Sequence, residues 1–170
     1  MFKFQSFAFL PVFGISNALT TIVSYNYGAK KKDRIKESIA LSIKSAFVLM
    51  VIAVVIMWLF PRQLLAMFNA TDNMIEIGVP MMRIVSLSYL VAVPAMVSVG
   101  GVFQSLGNWQ IAIFQSFLRQ FIILIPVFYL LSRSGSLNVA WWAFFIAEFT
   151  NSILCMFILR KEIRTKIDVL

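Results

Sequence analysis

Two charged residues lie inside long apolar stretches, and they are the side chains with the clearest capacity for chemistry. Arg119 follows a charge-free run from Ile84 to Leu118, and Glu148 lies within the apolar stretch 139–159. A charge in the hydrocarbon core of a membrane costs at least about 2.5–3.5 kcal/mol on insertion scales, so such residues usually face a bundle interior and find a partner. Two roles fit them: handling of a proton or substrate, or a mutual ion pair that joins two helices.

The sequence places these two charges at nearly the same depth. At about 1.5 Å per residue, Arg119 lies about 13 Å inward from Gln110, and Glu148 lies about 13 Å inward from Val139 on the opposite side. The two depths sum to about 27 Å, close to the hydrocarbon thickness of about 30 Å. Because consecutive helices joined by a short turn are usually neighbours, we expect Arg119 and Glu148 to pair.

Several uncharged polar side chains also fall within apolar segments and are candidate cleft residues: Asn17, Gln104, Gln115, Gln120 and Asn151. In lipid each of them needs a hydrogen-bonding partner. Lining of an aqueous cleft and hydrogen bonding between helices are both open roles. No phosphate-binding loop, nucleophile constellation or metal-ligand cluster accompanies them, and the chain has no His. We therefore expect neither an enzyme, nor a metal site, nor a cofactor.

The elements that must position these residues are membrane helices. The chain has 170 residues, of which 61% are hydrophobic and 13% charged, and its mean hydropathy is +0.88. No single core of this size buries that much apolar surface in water, so the solvent for most of the chain must be lipid. The net charge of +8 comes from basic residues beside apolar segments, which indicates contact with lipid headgroups rather than nucleic acid.

The hydropathy pattern predicts an all-α integral membrane protein with five transmembrane helices, at about residues 4–25, 39–60, 77–101, 109–131 and 139–159. Four residues within these spans are predicted kinks or hinges, because Pro and Gly interrupt helical hydrogen bonding or weaken it: Pro11, Gly14, Pro94 and Pro126. Such breaks are common in membrane helices in general, and they also mark binding sites in transporters.

The distribution of basic residues predicts the orientation. Residues 30–37 hold five Lys or Arg and the C-terminal tail holds four, whereas the outer loops hold only Arg62 and Arg133. Nine against two is a positive-inside bias that places residues 30–37 and the C-terminus in the cytoplasm. Met1 is then outside, which leads us to expect a preceding segment, and Met1–Leu10 shows no cleavable signal peptide.

A series of short motifs follows the chain in order: Pro11-x-x-Gly14 with Asn17-Ala18, Tyr25-Asn26-Tyr27-Gly28-Ala29-Lys30-Lys31, Leu64-Leu65-x-x-Phe68-Asn69, Val102-Phe103-Gln104-Ser105-Leu106-Gly107, Arg119-Gln120, and Trp141-Trp142-Ala143-Phe144-x-x-Ala147-Glu148. In this order and spacing they resemble the multidrug and toxic compound extrusion (MATE) family. The resemblance covers nearly the whole chain and corresponds to helices eight to twelve of that family.

A complete family member has twelve helices in two six-helix lobes, so the resemblance implies that this chain is a partial C-terminal lobe. It implies export of small amphipathic cationic drugs by Na⁺ or H⁺ antiport across a bacterial inner membrane for the intact protein. The N-terminal lobe, with its coupling carboxylates, is then a missing partner, and we expect the chain alone to be inactive. Two alternatives stay open: a flippase for lipid-linked precursors, and a membrane fragment with a purely structural role.

Overall fold

The computed structural model describes residues 2–67, 71–133 and 135–170, and the side chains from residue 6 onward. Phe68 and Asn69 of the third motif lie outside the described residues. The described chain is almost entirely helical, and its helices are α1 (Phe2–Gly28), α2 (Lys32–Leu59), α3 (Pro61–Ala66), α4 (Asp72–Val97), α5 (Trp109–Phe117), α6 (Ile125–Ser132) and α7 (Leu137–Glu162). Three π-helical segments continue some of them, namely π1 (Ser98–Phe103), π2 (Leu118–Leu124) and π3 (Ile163–Ile167).

Five continuous helical rods are long and apolar enough to cross a membrane: Ser6–Gly28, Lys32–Leu59, Asp72–Phe103, Trp109–Ser132 and Leu137–Ile167. They confirm the predicted all-α fold with five transmembrane helices. Several rods run further than the apolar spans in the sequence. The reason is that an apolar run marks only the hydrocarbon layer, whereas helical hydrogen bonding continues through the interfacial layers on each side.

Helix α4 is the central element of the bundle. It packs against α1, α2, α3 and α7, and its most extensive contact is with α7. In an apolar 18-residue stretch of the rod that contains α4, 56% of the residues are buried. The corresponding share is 6% in the rod formed by α5, π2 and α6. The latter rod packs mainly along α7. Helices α4 and α7 therefore form the scaffold on which the other rods are arranged.

Two glycines allow α1 to lie close against π1. A Cβ atom added at Gly101 would lie 2.7 Å from Cδ2 of Leu19, and one at Gly100 would lie 3.2 Å from Cβ of Ser16. The Thr20 hydroxyl donates a hydrogen bond to the carbonyl oxygen of Gly100 over 2.9 Å. Small residues of this kind drive helix association in lipid, where close backbone packing replaces the hydrophobic effect.

The predicted kink residues fall into two groups. Pro11 and Gly14 lie within α1, which stays helical along its length. Pro94 lies four residues before π1, and Pro126 lies in the first turn of α6, directly after π2. A proline has no N–H to donate to the carbonyl four residues back, and the neighbouring turns adopt the wider π-helical register. Whether these positions act as hinges stays a prediction.

The segments with most of the basic residues share one end of the bundle. Lys36 Nζ lies 2.5 Å from Asp168 Oδ1, which joins the start of α2 to the C-terminal tail. At the same tail, Asn108 donates a hydrogen bond to Glu162 Oε2 over 2.5 Å, and Lys166 donates one to Asn108 Oδ1 over 2.8 Å. These contacts hold residues 30–37, the turn at residues 104–108 and the tail together, as the predicted topology requires.

We expect Gly101→Ala to lower the stability of the bundle. The added methyl group overlaps Leu19, and overpacking of a well-packed contact costs about 1–3 kcal/mol. Thermal unfolding of the purified chain in detergent, followed by circular dichroism, measures the effect. Gly14→Ala is the matched control, because a Cβ atom there meets nothing within 4 Å and Ala is favoured over Gly in a helix by about 0.5–1 kcal/mol. Equal melting temperatures for the two variants would contradict the close approach of α1 to π1.

Candidate functional site

A cavity of about 500 Å³ opens between α1, the α4–π1 rod, the α5–π2 segment and α7. Its polar lining comprises Gln115, Ser116, Arg119, Gln120, Glu148 and Asn151. Five of the seven polar residues singled out in the sequence therefore meet in one place. Their roles in transport stay predictions, but the structure brings these side chains to a common site.

Helical spacing explains why these side chains converge. Gln115 and Arg119 are four residues apart on α5 and π2, and Glu148 and Asn151 are three residues apart on α7. Residues three or four apart share one face of a helix. The polar face of the α5–π2 segment is thus turned toward the polar face of α7. Much of the apolar remainder of the α5–π2 segment is exposed, whereas α7 also packs against α4 and α6.

The predicted ion pair between Arg119 and Glu148 is present. Nη1 of Arg119 lies 2.5 Å from Oε1 of Glu148, and the side chains are 36% and 12% exposed, respectively. The second carboxylate oxygen of Glu148, Oε2, is buried and has no hydrogen-bond partner among the described residues. Arg119 therefore neutralises Glu148 in charge but leaves half of its capacity to accept hydrogen bonds unused.

A second polar pair connects the same two rods. Nε2 of Gln115 donates a hydrogen bond to Oδ1 of Asn151 over 3.2 Å, and both side chains are buried. The amide oxygen of Gln115, Oε1, has no partner within the described part of the chain. Hydrogen bonding between helices and lining of a cleft were the two open roles for these residues. The pair has both positions, because it joins α5 to α7 and also lines the cavity.

The remaining walls of the cavity are mostly apolar. Phe13 contributes from α1, Ala95 and Met96 from α4, and Val99 and Gly100 from π1. None of these five was singled out from the sequence as a site residue. The pair Gly100–Gly101 after Pro94 was the available signal, because small residues in a membrane helix often mark a close approach of another helix.

Asn17 and Gln104 do not belong to this cavity lining. Both side chains are exposed. On α1 it is Ser16 and Leu19, rather than Asn17, that face π1. Gln104 lies just beyond π1, at the turn that leads to α5. Their assignment to a cleft stays a prediction, and neither side chain lines the cavity in the part of the chain that the structure describes.

The arrangement favours a guest that is positively charged or that donates hydrogen bonds. An acceptor that is buried without a partner costs about 1–3 kcal/mol, and both Glu148 and Gln115 contain one such oxygen atom. Both atoms are fully enclosed in this structure, so a cation or a donor reaches them, and removes this cost, only when the side chains shift. The lining has no net formal charge, since Arg119 and Glu148 are its only charged members. A guest cation therefore competes directly with Arg119 for the carboxylate.

Known proteins that are similar to this chain include multidrug exporters. The MatE family model matches residues 1–130, a range that ends before α7 and so excludes Glu148 and Asn151. The Multidrug export protein MepA of Staphylococcus haemolyticus is 22% identical over 168 residues, which are 99% of this chain and 36% of that protein. The Probable multidrug resistance protein NorM of Thermotoga maritima is 25% identical over 159 residues, which are 91% of this chain and 34% of that protein.

Solved structures show the same fold. The MATE multidrug transporter DinF-BH is 34% identical, with a TM-score of 0.83 over 98% of this chain and 37% of that one. Inward-facing and outward-facing structures of a MATE family transporter, each 17% identical, have TM-scores of 0.87 and 0.88. They cover 96% of this chain and 38% or 37% of theirs. The chain thus spans little more than a third of the length of its relatives.

We expect removal of one member of the Arg119–Glu148 pair to destabilise the protein more than removal of both members. Arg119→Ala leaves a carboxylate that is 12% exposed without its partner, and loss of one member of a buried pair costs about 3–5 kcal/mol, less where a partner is partly exposed. Arg119→Ala and Glu148→Ala should each lower the yield of monodisperse protein, Arg119→Ala more strongly, and the double variant should recover part of it. Size-exclusion chromatography after detergent extraction measures this yield.

Arg62→Ala, an exposed site on α3, is the control and should leave the yield unchanged. Losses that simply add in the double variant would show that the two charges do not act as a pair.

Proposed function

This chain belongs to the MatE family of multidrug transporters, and on that premise we propose that it forms one wall of a secondary active transporter that exports cationic drugs by Na⁺ or H⁺ antiport. It is a multi-pass membrane protein, and its proposed location is a bacterial inner membrane with the C-terminus in the cytoplasm. The proposed partners are the bilayer, small amphipathic cations and an N-terminal lobe that this chain does not contain. The activity is transport rather than enzymatic conversion.

The observation that carries the proposal is the half-satisfied carboxylate of Glu148 in the cavity wall. One of its oxygens binds Arg119, and the other is buried without a partner among the described residues. A drug cation, a Na⁺ ion and a proton are all able to neutralise this group, and they compete for it. Ligands that exclude one another at one group, in a protein that alternates between two states, are the basis of exchange.

The size and composition of the cavity support a drug-sized guest. Ligand pockets typically measure about 300–1,000 Å³ and combine apolar walls with a few polar groups that fix orientation. The cavity of about 500 Å³ has this composition, since its lining combines Phe13 and Met96 with the polar faces of the α5–π2 segment and α7. An aromatic ring also attracts organic cations through its π face. These features suit an amphipathic cation better than a strongly hydrated anion.

The fold supports movement of this lobe as a unit. Transporters of this kind alternate by rocking one helix bundle against another around a site at the level of the bilayer centre. The chain fits inward-facing and outward-facing structures about equally well, with TM-scores of 0.87 and 0.88. A lobe that keeps its own helix arrangement in both states supplies a constant wall, and the change in access then comes from its motion against the other lobe.

The alternative of a flippase for lipid-linked precursors is weaker. A pyrophosphate headgroup requires several unpaired basic groups, since Arg and Lys bind phosphate through charge-assisted hydrogen bonds. Arg119 is the only basic residue in the cavity lining, and it is paired with Glu148. The second alternative is a membrane fragment with a purely structural role. Our proposal expects the chain to bind a cationic drug, whereas this alternative does not, and such binding is directly measurable.

We expect the purified chain to bind ethidium, and Glu148→Gln to weaken this binding at least about tenfold, which corresponds to about 1.4 kcal/mol. The substitution keeps the shape of the side chain and its hydrogen bond from Arg119 but removes the charge that balances Arg119, so the cavity becomes positively charged and repels the dye. Fluorescence anisotropy in detergent measures the dissociation constant. Glu76→Gln, at an exposed position on α4, is the matched control. Equal affinities for both variants, or no binding by the unaltered chain, would contradict the site.

We expect the chain by itself not to export drugs, because one lobe supplies one wall of an alternating site. Expression in a bacterial strain without its own drug pumps should leave ethidium accumulation at the level of the empty vector, while a complete MATE transporter lowers it. The comparison requires similar amounts of both proteins in the membrane. An energy-dependent fall in accumulation with this chain alone would show that it does not need a second lobe of different sequence.

A further inference from the structure

A second groove, separate from the cavity, runs along the outside of the bundle between α4 and α7. It encloses about 270 Å³ and is lined by Val91 of α4 and by Phe149, Ser152, Ile153, Met156, Phe157 and Arg160 of α7. The α7 members recur at helical intervals of three or four residues, so they form one continuous stripe. Nearly all of the stripe is apolar, and its last member is a cation.

The charge at the end of this groove is unpaired. Arg160 is exposed, and it takes part in none of the ion pairs or side-chain hydrogen bonds of the described residues. It lies at the end of the bundle where Lys36, Asp168 and the other residues of the C-terminal tail meet. Lys161 and Arg164 are exposed nearby on the same helix and its π3 extension. Basic residues near a membrane surface attract anionic lipid, and Arg160 is the one among these three that lines the groove.

The length of the groove matches one leaflet of a bilayer. Phe149 and Arg160 are eleven residues apart on one helix, which is about 16 Å at about 1.5 Å per residue. Half of a hydrocarbon core of about 30 Å is about 15 Å. A lipid tail that lies along the stripe from the bilayer centre outward therefore ends with its headgroup at the level of Arg160.

We propose that this groove between α4 and α7 is a binding site for an anionic phospholipid, whose acyl chain lies along the α7 stripe while Arg160 binds the headgroup phosphate. The guanidinium group suits this role because its planar fork binds two phosphate oxygens at once, and its charge discriminates against zwitterionic lipids. The site faces away from Arg119 and Glu148, and the proposal does not depend on the chain being part of a drug exporter.

Native mass spectrometry of the delipidated chain tests the headgroup contact. Phosphatidylglycerol and phosphatidylcholine with identical acyl chains are added in turn, and we expect phosphatidylglycerol to bind at least about tenfold more tightly. Arg160→Gln should abolish this preference, Arg160→Lys should keep part of it, and Lys161→Gln should leave it within about twofold. Equal binding of both lipids, or an equal loss in the Arg160→Gln and Lys161→Gln variants, would overturn the proposal.

A pair of neighbouring residues tests the acyl-chain contact. Ile153 lines the groove, whereas the adjacent Leu154 does not, and the two are similarly exposed at 42% and 37%. Ile153→Trp should fill the groove and weaken both lipids at least about fivefold, while Leu154→Trp should change neither. The same spectra report the number of protein chains in each particle. They therefore distinguish a chain that binds lipid from a pair of chains that bind each other.

Three outcomes would overturn the assignment of this groove to a lipid. The first is equal weakening by Ile153→Trp and Leu154→Trp. The second is inorganic phosphate that displaces the lipid at millimolar concentration, which would indicate a simple anion contact at Arg160. The third is a two-chain particle without lipid that Ile153→Trp abolishes, which would assign the groove to a second copy of this chain.

Discussion

Lipid offers no hydrogen bonds, so every polar group within the hydrocarbon layer must find its partner inside the protein. This constraint explains the contacts that join the rods. Arg119 binds Glu148, Gln115 binds Asn151, and Nε1 of Trp58 donates to the hydroxyl of Ser86 over 3.1 Å. The first two pairs connect the α5–π2 segment to α7, and the third connects α2 to α4. A rod that is otherwise mostly exposed to lipid is thereby held in a defined rotation.

The same constraint makes the two oxygens left over in the cavity informative. Among the described residues, Glu148 and Gln115 each retain one buried acceptor without a protein partner. The pairs that hold the lobe together thus also mark the place where a guest gains most by binding. In our proposal, structure and function are not competing explanations, because one set of side chains serves both. Under this proposal, a guest that binds Glu148 competes with Arg119, and the pair that it disturbs is one of those that join the α5–π2 segment to α7.

Helix α7 presents different chemistry on its two sides. One side contributes Glu148 and Asn151 to the cavity, and the other contributes Phe149, Ile153 and Phe157 to the outer groove. Between them, buried small residues such as Ala143 and Ala147 allow the close packing against other helices that lipid cannot drive by itself. One rod therefore carries the candidate drug site on its inner side and the candidate lipid site on its outer side.

The sequence by itself determined the number of transmembrane rods, because the length of an apolar run directly reflects the thickness of the hydrocarbon layer. It also determined that Arg119 and Glu148 meet, since depth in the membrane follows from position along a helix and the two helices are consecutive. Only the tertiary structure decided which side of each rod faces inward. Gln115 and Gln120 line the cavity, whereas the equally plausible Asn17 and Gln104 do not. In water the apolar stripe of a helix would reveal its buried face. In lipid both faces are apolar, so the pattern marks an inward face only where polar residues recur at helical spacing, as on the α5–π2 segment and α7. The rotation of the α1 rod depends on contacts that its pattern of residues does not contain.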